Sequence, residues 1–132
     1  ATDGSDHSQR ALAYARDLTR LHEAELYLVH VYPRVSDLLG TKEYEKIVEH
    51  RIAAGNEVIE QAGKELEAAG ITYHTELLEG PMAEAIINVA ETRGADLIII
   101  GARGKSSLEG LLLGSVSQKV IHHADCPVLV VH

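Results

Sequence analysis

The sequence predicts a single α/β domain of the doubly wound, Rossmann-like type. We expect a five-stranded parallel sheet in the order 3-2-1-4-5, with helices on both faces. Strand-like and helix-like segments alternate along the chain, which is typical of parallel strands joined by right-handed helical crossovers. The short strand-like runs near the end are apolar throughout, as in strands that are covered on both faces. A length of 132 residues corresponds to one domain, so residues 1–132 are treated as one unit.

The opening residues predict the end of a strand followed by a helix. The first turn-like group, residues 2–5, comes at once, so we expect the first strand to be truncated. Ser5 is suited to cap the helix, with Asp6 in its first turn. Leu12, Ala15 and further residues then recur at helical spacing.

The next two elements are a strand and a long helix. Residues 25–32 are rich in β-branched and aromatic side chains, and Pro33 ends the run. Residues 41–69 carry one apolar stripe with Glu and Lys opposite, and Gly70 is a good stop signal. Gly55 lies in the middle, so one long helix and two shorter ones both remain possible.

The second half of the chain alternates in the same way. Pro81 is expected at the first position of a helix, because its fixed φ angle suits that position, and Gly94 is expected to close it. In order, the predicted elements are a strand at 71–79, a helix at 81–93, a strand at 96–100, a helix at 115–123 and a strand at 127–131.

Composition excludes several classes of function. The chain has 20 acidic and 12 basic residues, a formal charge of −8, which argues against nucleic-acid binding and against an anionic membrane surface. It has no uninterrupted apolar run of about 18 residues, as a membrane span needs, and no secretory leader is recognisable. Its single cysteine, Cys126, can form no internal disulfide, so we expect a cytoplasmic protein. The eight histidines show no metal-ligand spacing, and no protein-made metal site is predicted.

A glycine motif follows the strand at 96–100. Gly101, Gly104, Gly114 and Ser115 form the pattern G-x2-G-x9-G-S, which ends where a helix begins. Glycines let the main chain approach phosphates closely, and a helix N-terminus supplies unpaired N–H groups and a positive dipole end. A plain turn with Ser115 as a helix cap is the simpler alternative. The full spacing at a strand end favours a phosphate site.

Two loops are expected to meet at one crevice. Asp3 follows the truncated first strand, and the glycine motif follows the fourth strand. These strands are neighbours where the order 3-2-1-4-5 reverses, and ligands bind at such a point. Arg103 and Lys105 in the second loop either screen phosphate charge or are solvated. Lys105 does not complete a Walker A loop, because Ile99 stands where its first glycine is needed.

Three stretches resemble the universal stress protein family. The run from Gly101 to Val131, GARGKSSLEGLLLGSVSQKVIHHADCPVLVV, resembles its carboxy-terminal signature. Residues 1–12, ATDGSDHSQRAL, resemble its first loop and helix, and residues 28–32, LVHVY, resemble its second strand. The resemblance covers essentially the whole chain, and the G-x2-G-x9-G-[S/T] spacing is that of the family's ATP-binding branch.

The resemblance implies an ATP site and a homodimer. Val31 would meet the adenine through its main chain and side chain, Ile100 would pack near the same pocket, and Asp3 would lie near the ribose. Asp3 could instead simply cap a turn. Mg²⁺ would accompany ATP through its phosphates, and the strand from Pro127 to Val131 would pair with that of a second copy. The main-chain N–H groups and hydroxyls that would hold ribose and triphosphate belong to Gly101, Gly104, Gly114, Ser115, Val116 and Ser117.

The leading functional hypothesis is therefore an ATP-binding stress-response protein that acts as a nucleotide-dependent switch or binding module. No catalytic residue is assigned, since no water-activating base or second substrate site is evident. A slow ATPase or nucleotidyl-transfer enzyme on the same scaffold is one alternative. A nucleotide-free dimeric adaptor is another, which the intact glycine spacing speaks against.

Overall fold

The chain folds into alternating helices and strands. The structure is a computed structural model that describes residues 1–36, 40–105 and 112–132. Its elements are α1 (Asp6–His22), β1 (Leu26–Tyr32), α2 (Thr41–Ala68), β2 (Tyr73–Glu79), α3 (Met82–Arg93), β3 (Ile98–Gly101), α4 (Ser115–His123) and β4 (Val128–Val131). This alternation confirms the predicted α/β class. None of the helices described is both long and apolar enough to cross a bilayer.

The strands form two parallel pairs. β1 pairs with β2 from Leu26↔Tyr73 onward, and β3 pairs with β4 from Ile98↔Val128 onward. These are the outer pairs, 2-3 and 4-5, of the predicted order. The described residues form no central strand, so the five-stranded order is not observed as one sheet and stays a prediction.

Ala1 and Thr2 lie between the two pairs. The Thr2 N–H donates to the Val29 carbonyl at 2.9 Å, and the Ala1 amine donates to the Ile99 carbonyl at 2.9 Å. Two residues are too few to make a ladder, although they bond to β1 on one side and to β3 on the other.

An apolar gap, which we call the central slot, continues from Ala1 between β1 and β3. It has a volume of about 120 Å³. Its edges are Leu26–Val29 and Leu97–Ile99, whereas α1 and α3 close its two faces. The facing side chains are Ser8, Ala11, Leu12 and Ala15 of α1 and Ile86, Val89 and Ala90 of α3. The slot therefore has the walls of a site for one more strand.

Helices cover both faces of the strands. Along β1, Leu28 belongs to a cluster with Leu12 and Leu66 under α1 and α2. The next residue, Val29, belongs to a second cluster with Ile86 under α3 and α4. Successive strand residues point to opposite faces, so β1 is buried on both sides. This arrangement confirms a doubly wound domain.

Most predicted helix ends are confirmed. Ser5 caps α1, and its hydroxyl accepts the Ser8 N–H at 3.3 Å. Gly94 closes α3 at φ 62°, where glycine carries no steric penalty. The prediction that Pro81 is the first residue of α3 is wrong by one position. Pro81 has ψ 119°, which is extended, so it caps the helix and Met82 begins it.

The helix α2 is unbroken, so the alternative of two shorter helices is wrong. Gly55 is buried against the sheet. A β-carbon at this position would lie 2.6 Å from Leu77 Cδ1 and 3.0 Å from His30 Cδ2. The glycine therefore serves close packing of α2 on β1 and β2, which offsets its lower helix propensity.

Candidate functional site

A cleft of about 620 Å³ opens at the carboxyl ends of β1 and β3. The starts of α1 and α4, the loop after β3 and one side of α2 surround it. The structure brings all nine site residues predicted from the sequence to its lining. These are Asp3, Val31, Ile100, Gly101, Gly104, Gly114, Ser115, Val116 and Ser117. Residues 106–111, within the spacer of the motif, lie outside the described residues.

The main chain of Val31 faces the cleft. Val29 accepts a hydrogen bond from Thr2 on the β3 side of β1, whereas Tyr32 accepts one from Gly80 on the β2 side. Because main-chain direction alternates along a parallel strand, Val31 shares the orientation of Val29. Val31 lies closer to the carboxyl end of β1 than the residue that bonds Thr2, so its N–H and C=O are directed into the cleft. They form an adjacent donor and acceptor.

Asp3 ties the two loops of the cleft together. Its Oδ1 accepts the Ser5 N–H at 3.0 Å, and its Oδ2 accepts the Lys105 N–H at 2.9 Å. A β-carbon on Gly104 would lie 2.6 Å from Oδ2, so the glycine lets the carboxylate approach the loop. Burial alone would raise the pKa of Asp3, but hydrogen bonds from Ser5 and from the Lys105 N–H hold it below its ordinary value.

Replacing Asp3 by Asn is expected to lower stability by about 1–2 kcal/mol at pH 7. The amide accepts only one of the two N–H groups, and the bond it keeps is no longer charge-assisted. In thermal unfolding the melting temperature should fall by roughly 3–8 °C.

The pH dependence gives this substitution a second readout. A depressed carboxyl pKa stabilises the fold above the ordinary value near 3.9, and the contribution is lost as pH falls through the folded-state pKa. The difference between the two proteins should therefore shrink in acid. The exposed Asp125 makes a matched control, and Asp125→Asn should change little. Equal melting temperatures for Asp3→Asn and the parent at pH 7 would contradict the bridging role.

Gly101 is required by the protein's own packing. A β-carbon here would lie 2.7 Å from the carbonyl carbon of His7 and 2.8 Å from the nitrogen of Ser8. The start of α1 therefore rests directly on the end of β3. The absence of a side chain at Gly101 thus makes room for α1, while its part in holding phosphate stays a prediction.

The start of α4 is fastened to the end of β3 through Ala102, which is fully buried. The Ala102 carbonyl accepts the Gly114 N–H at 2.7 Å, and the Ser117 hydroxyl lies 2.7 Å from the same oxygen. On its other side, the Ala102 N–H donates to the Val131 carbonyl of β4 at 2.7 Å. Ser117 is 2% exposed, so its hydroxyl serves this internal bond.

The donors left for a ligand at this end are the main-chain N–H groups of the first turn of α4. Ser115 is exposed and Val116 half-buried, and both line the cleft. The first helical carbonyl acceptor, that of Gly114, is used by Gln118, so residues 115–117 keep N–H groups without a helical partner. An anion is the ligand such groups favour.

Sequence reasoning missed one wall of the cleft. In the sequence, neither Gly55, which suggested only a weak point of the helix, nor its neighbours in α2 indicated this wall. His30 also lines the cleft, and its Nδ1 lies 2.8 Å from the Thr2 carbonyl oxygen. The α2 residues in the lining are His50, Arg51, Ala54, Gly55, Glu57, Val58 and Gln61.

The comparison with known proteins agrees with this geometry. A model described as the universal stress protein family matches residues 1–132. The chain belongs to this family. A universal stress protein of Methanocaldococcus jannaschii is 42% identical over 133 residues, which cover 98% of this chain and 78% of the relative.

Solved universal stress proteins have the same fold. The UspA protein of Lactobacillus plantarum superposes with a TM-score of 0.89 at 24% identity and covers 99% of this chain and 93% of its own. A universal stress protein in complex with cAMP has a TM-score of 0.74 at 31% identity, covering 99% and 92%. The Archaeoglobus fulgidus protein in complex with dAMP has a TM-score of 0.74 at 26% identity, covering 100% and 93%.

Proposed function

We propose that this universal stress protein binds adenine nucleotides, ATP in particular, and acts as a nucleotide-dependent switch or binding module in the stress response. The proposal rests on the observation that one cleft combines two sets of main-chain hydrogen-bonding groups. Val31 offers an adjacent N–H and C=O at the end of β1, and the first turn of α4 offers unpaired N–H groups beyond β3.

The Val31 end suits a purine base. The Watson–Crick edge of adenine presents an acceptor nitrogen beside an amino donor, which complements one N–H and one C=O. The walls here are aliphatic, from Val29, Ile86 and Ile100. The complexes of two neighbours with cAMP and dAMP support an adenine ligand.

The α4 end suits phosphate. Main-chain N–H groups and the positive dipole end bind an anion without a basic patch, which agrees with the net charge of −8. Mg²⁺ would be held by the phosphate oxygens and water, as is usual for this ion with nucleotides. Asp3 is not assigned as a ligand for it, because both of its oxygens hold the two loops together through main-chain N–H groups.

The cleft favours binding over turnover. A general base must accept a proton from water, and Asp3, which lines the cleft and accepts the Lys105 N–H of the glycine loop, is a weak base because its pKa is lowered. The lack of a strong base at Asp3 fits a binding protein better than a fast enzyme. The single cysteine, which allows no internal disulfide, fits a cytoplasmic location.

The experiment that tests the proposal is to identify the small molecules that leave the purified protein on denaturation, by ion-pair chromatography and mass spectrometry. We expect near-stoichiometric ATP and a turnover well below about 1 per second. Bound ADP or AMP with faster turnover would favour the ATPase alternative. A protein that releases no nucleotide and also shows no binding of added Mg-ATP in calorimetry would favour the alternative of a nucleotide-free dimeric adaptor.

We further propose a homodimer through the strand from Pro127 to Val131. On β4 the carbonyls of Pro127 and Val131 accept bonds from β3, so Val128 and Val130 present their main chain to the outer edge. An apolar edge with unpaired N–H and C=O groups is a template for a second copy.

Light scattering with size exclusion should give twice the chain mass of 14.3 kDa at micromolar concentration. Val130→Pro should give the monomer, because proline removes an outward N–H group and leaves the β3 ladder intact. Val130→Ala keeps that N–H group and should remain dimeric. A monomeric parent protein would refute the interface.

A further inference from the structure

The side chain of Lys105 extends from the glycine loop over the turn at Gly4. Gly4 has φ 75°, and a β-carbon built on it would lie 3.1 Å from the Lys105 ammonium nitrogen and 3.5 Å from its Cε. The same point lies 3.6 Å from Cγ2 of Val58 on α2. The ammonium therefore lies over the Gly4 turn, and Val58 of α2 contacts the same turn. Lys105 and Val58 both line the cleft.

The other cationic side chains of the cleft differ from Lys105. Arg51 donates its guanidinium to the carbonyls of Pro33 and Arg34, which fastens the segment after β1 to α2. Arg103 is fixed through its carbonyl, which accepts a hydrogen bond from the Ser5 hydroxyl at 3.4 Å. Within the described residues, no carboxylate lies within ion-pair distance of the Lys105 ammonium.

The main-chain N–H groups of α4 and the ammonium of Lys105 suit different parts of a nucleotide. The N–H groups of one helix turn converge on one anionic group, so a monophosphate is already satisfied there. Each further phosphate brings more negative charge into a chain of net charge −8 and beside Asp3 and Glu57. An ammonium on a flexible four-carbon stem can follow that added charge.

We propose that Lys105 makes the cleft prefer nucleotides with several phosphates over nucleoside monophosphates, an inference that rests on the proposed function. Lys105 is a specificity-determining residue in this assignment. It supplies a charge-assisted contact to ATP that AMP does not receive, whereas the adenine contacts at Val31 and the N–H groups of α4 serve both ligands alike.

The test compares ATP and AMP affinities by calorimetry for the parent chain and three variants. Lys105→Gln should weaken ATP binding about tenfold, equivalent to about 1.4 kcal/mol, and leave AMP binding within twofold. Lys105→Arg should keep the ratio of the two affinities within about threefold of the parent ratio, because the charge remains. Lys119→Gln is the matched control. Lys119 lies on α4 beside Glu84, at 3.9 Å, and is absent from the cleft lining, so its loss should leave the ratio unchanged.

Salt gives an independent readout. Raising the salt concentration should weaken ATP binding to the parent chain more than to Lys105→Gln, since the variant has lost the charge being screened. An unchanged ATP to AMP ratio in Lys105→Gln would overturn the inference alone. So would a ratio lowered equally by Lys119→Gln, which would indicate only a general effect of net charge. A parent chain that binds neither nucleotide would overturn the proposed function together with this inference.

Discussion

Adding four apolar, β-branched residues before Ala1 should raise the melting temperature of this chain by about 10 °C or more. The extension would enter the central slot, between the edges of β1 and β3 and between α1 and α3. Its main chain would continue from the bonds that Ala1 and Thr2 already make to Ile99 and Val29. Apart from Ser8, the side chains that face the slot from α1 and α3 are apolar, so the added side chains are buried against them.

Part of the gain comes from the charge on Ala1. Burial lowers the pKa of the Ala1 amine from 8.0 to about 6, partly opposed by Asp3. An amine with a lowered folded-state pKa penalises folding fully below about pH 6, and the penalty disappears as pH rises toward 8. Lowering the pKa of the amine from 8.0 to about 6 corresponds to about 3 kcal/mol. In the extended chain a neutral peptide N–H replaces the amine, so the rise in stability between pH 6 and 8 should vanish.

Two controls separate the contributions. Acetylation of Ala1 removes the charge without filling the slot, so it should remove the pH dependence and give only part of the gain. A Gly-Ser extension of the same length should give little more than acetylation, because it brings no apolar side chains. Equal melting temperatures for the apolar and Gly-Ser extensions would show that the slot does not accept a strand.

Replacing Gly114 by Val should weaken ATP binding at least about 100-fold while the fold is kept. Gly114 is the cap of α4 and lines the cleft, so a branched side chain there adds bulk beside the N–H groups of residues 115–117. Losing two charge-assisted hydrogen bonds accounts for a change of this size. The backbone tolerates valine, because φ −78° and ψ 161° are extended values open to any residue.

Calorimetry measures the ATP affinity of these variants, and thermal unfolding shows whether they remain folded. Gly114→Ala should lie between the parent and the valine variant in ATP affinity. The melting temperature of each should stay within a few degrees of the parent, which shows that lost binding is not lost folding. Unchanged ATP affinity in Gly114→Val would remove the N-terminus of α4 from the site.

The sequence predicted those elements whose signals are local. Ser5 and Gly94 act through hydrogen bonds and φ angles within a few residues, and both ends appear where expected. Gly55 gave a wrong local signal, because a glycine in a helix interior suggests that the helix is interrupted there. Its reason is a distant one, the side chains of Leu77 and His30 on the strands below. No local pattern carries that information.

In the candidate site, too, the sequence predicted what depends on local pattern and missed what depends on contacts between distant segments. The spacing of the glycine motif placed its members on one cleft, because strand ends in a parallel sheet share an edge. The packing role of each individual residue could not be predicted from the sequence. Gly101 makes room for α1, Gly104 makes room for Asp3, and the Ser117 hydroxyl bonds inward to Ala102. Each depends on a contact between segments about 15 to 100 residues apart in the chain.

The peptide units on either side of Ala102 link the cleft to the outer edge of the sheet. One joins the first turn of α4, at the cleft, and the other joins Val131, at the outer edge strand. Neither end can open by local fluctuation without exposing a fully buried main-chain group. Cleft and edge therefore belong to one cooperative unit, and amide hydrogen exchange at both should slow together when either is occupied.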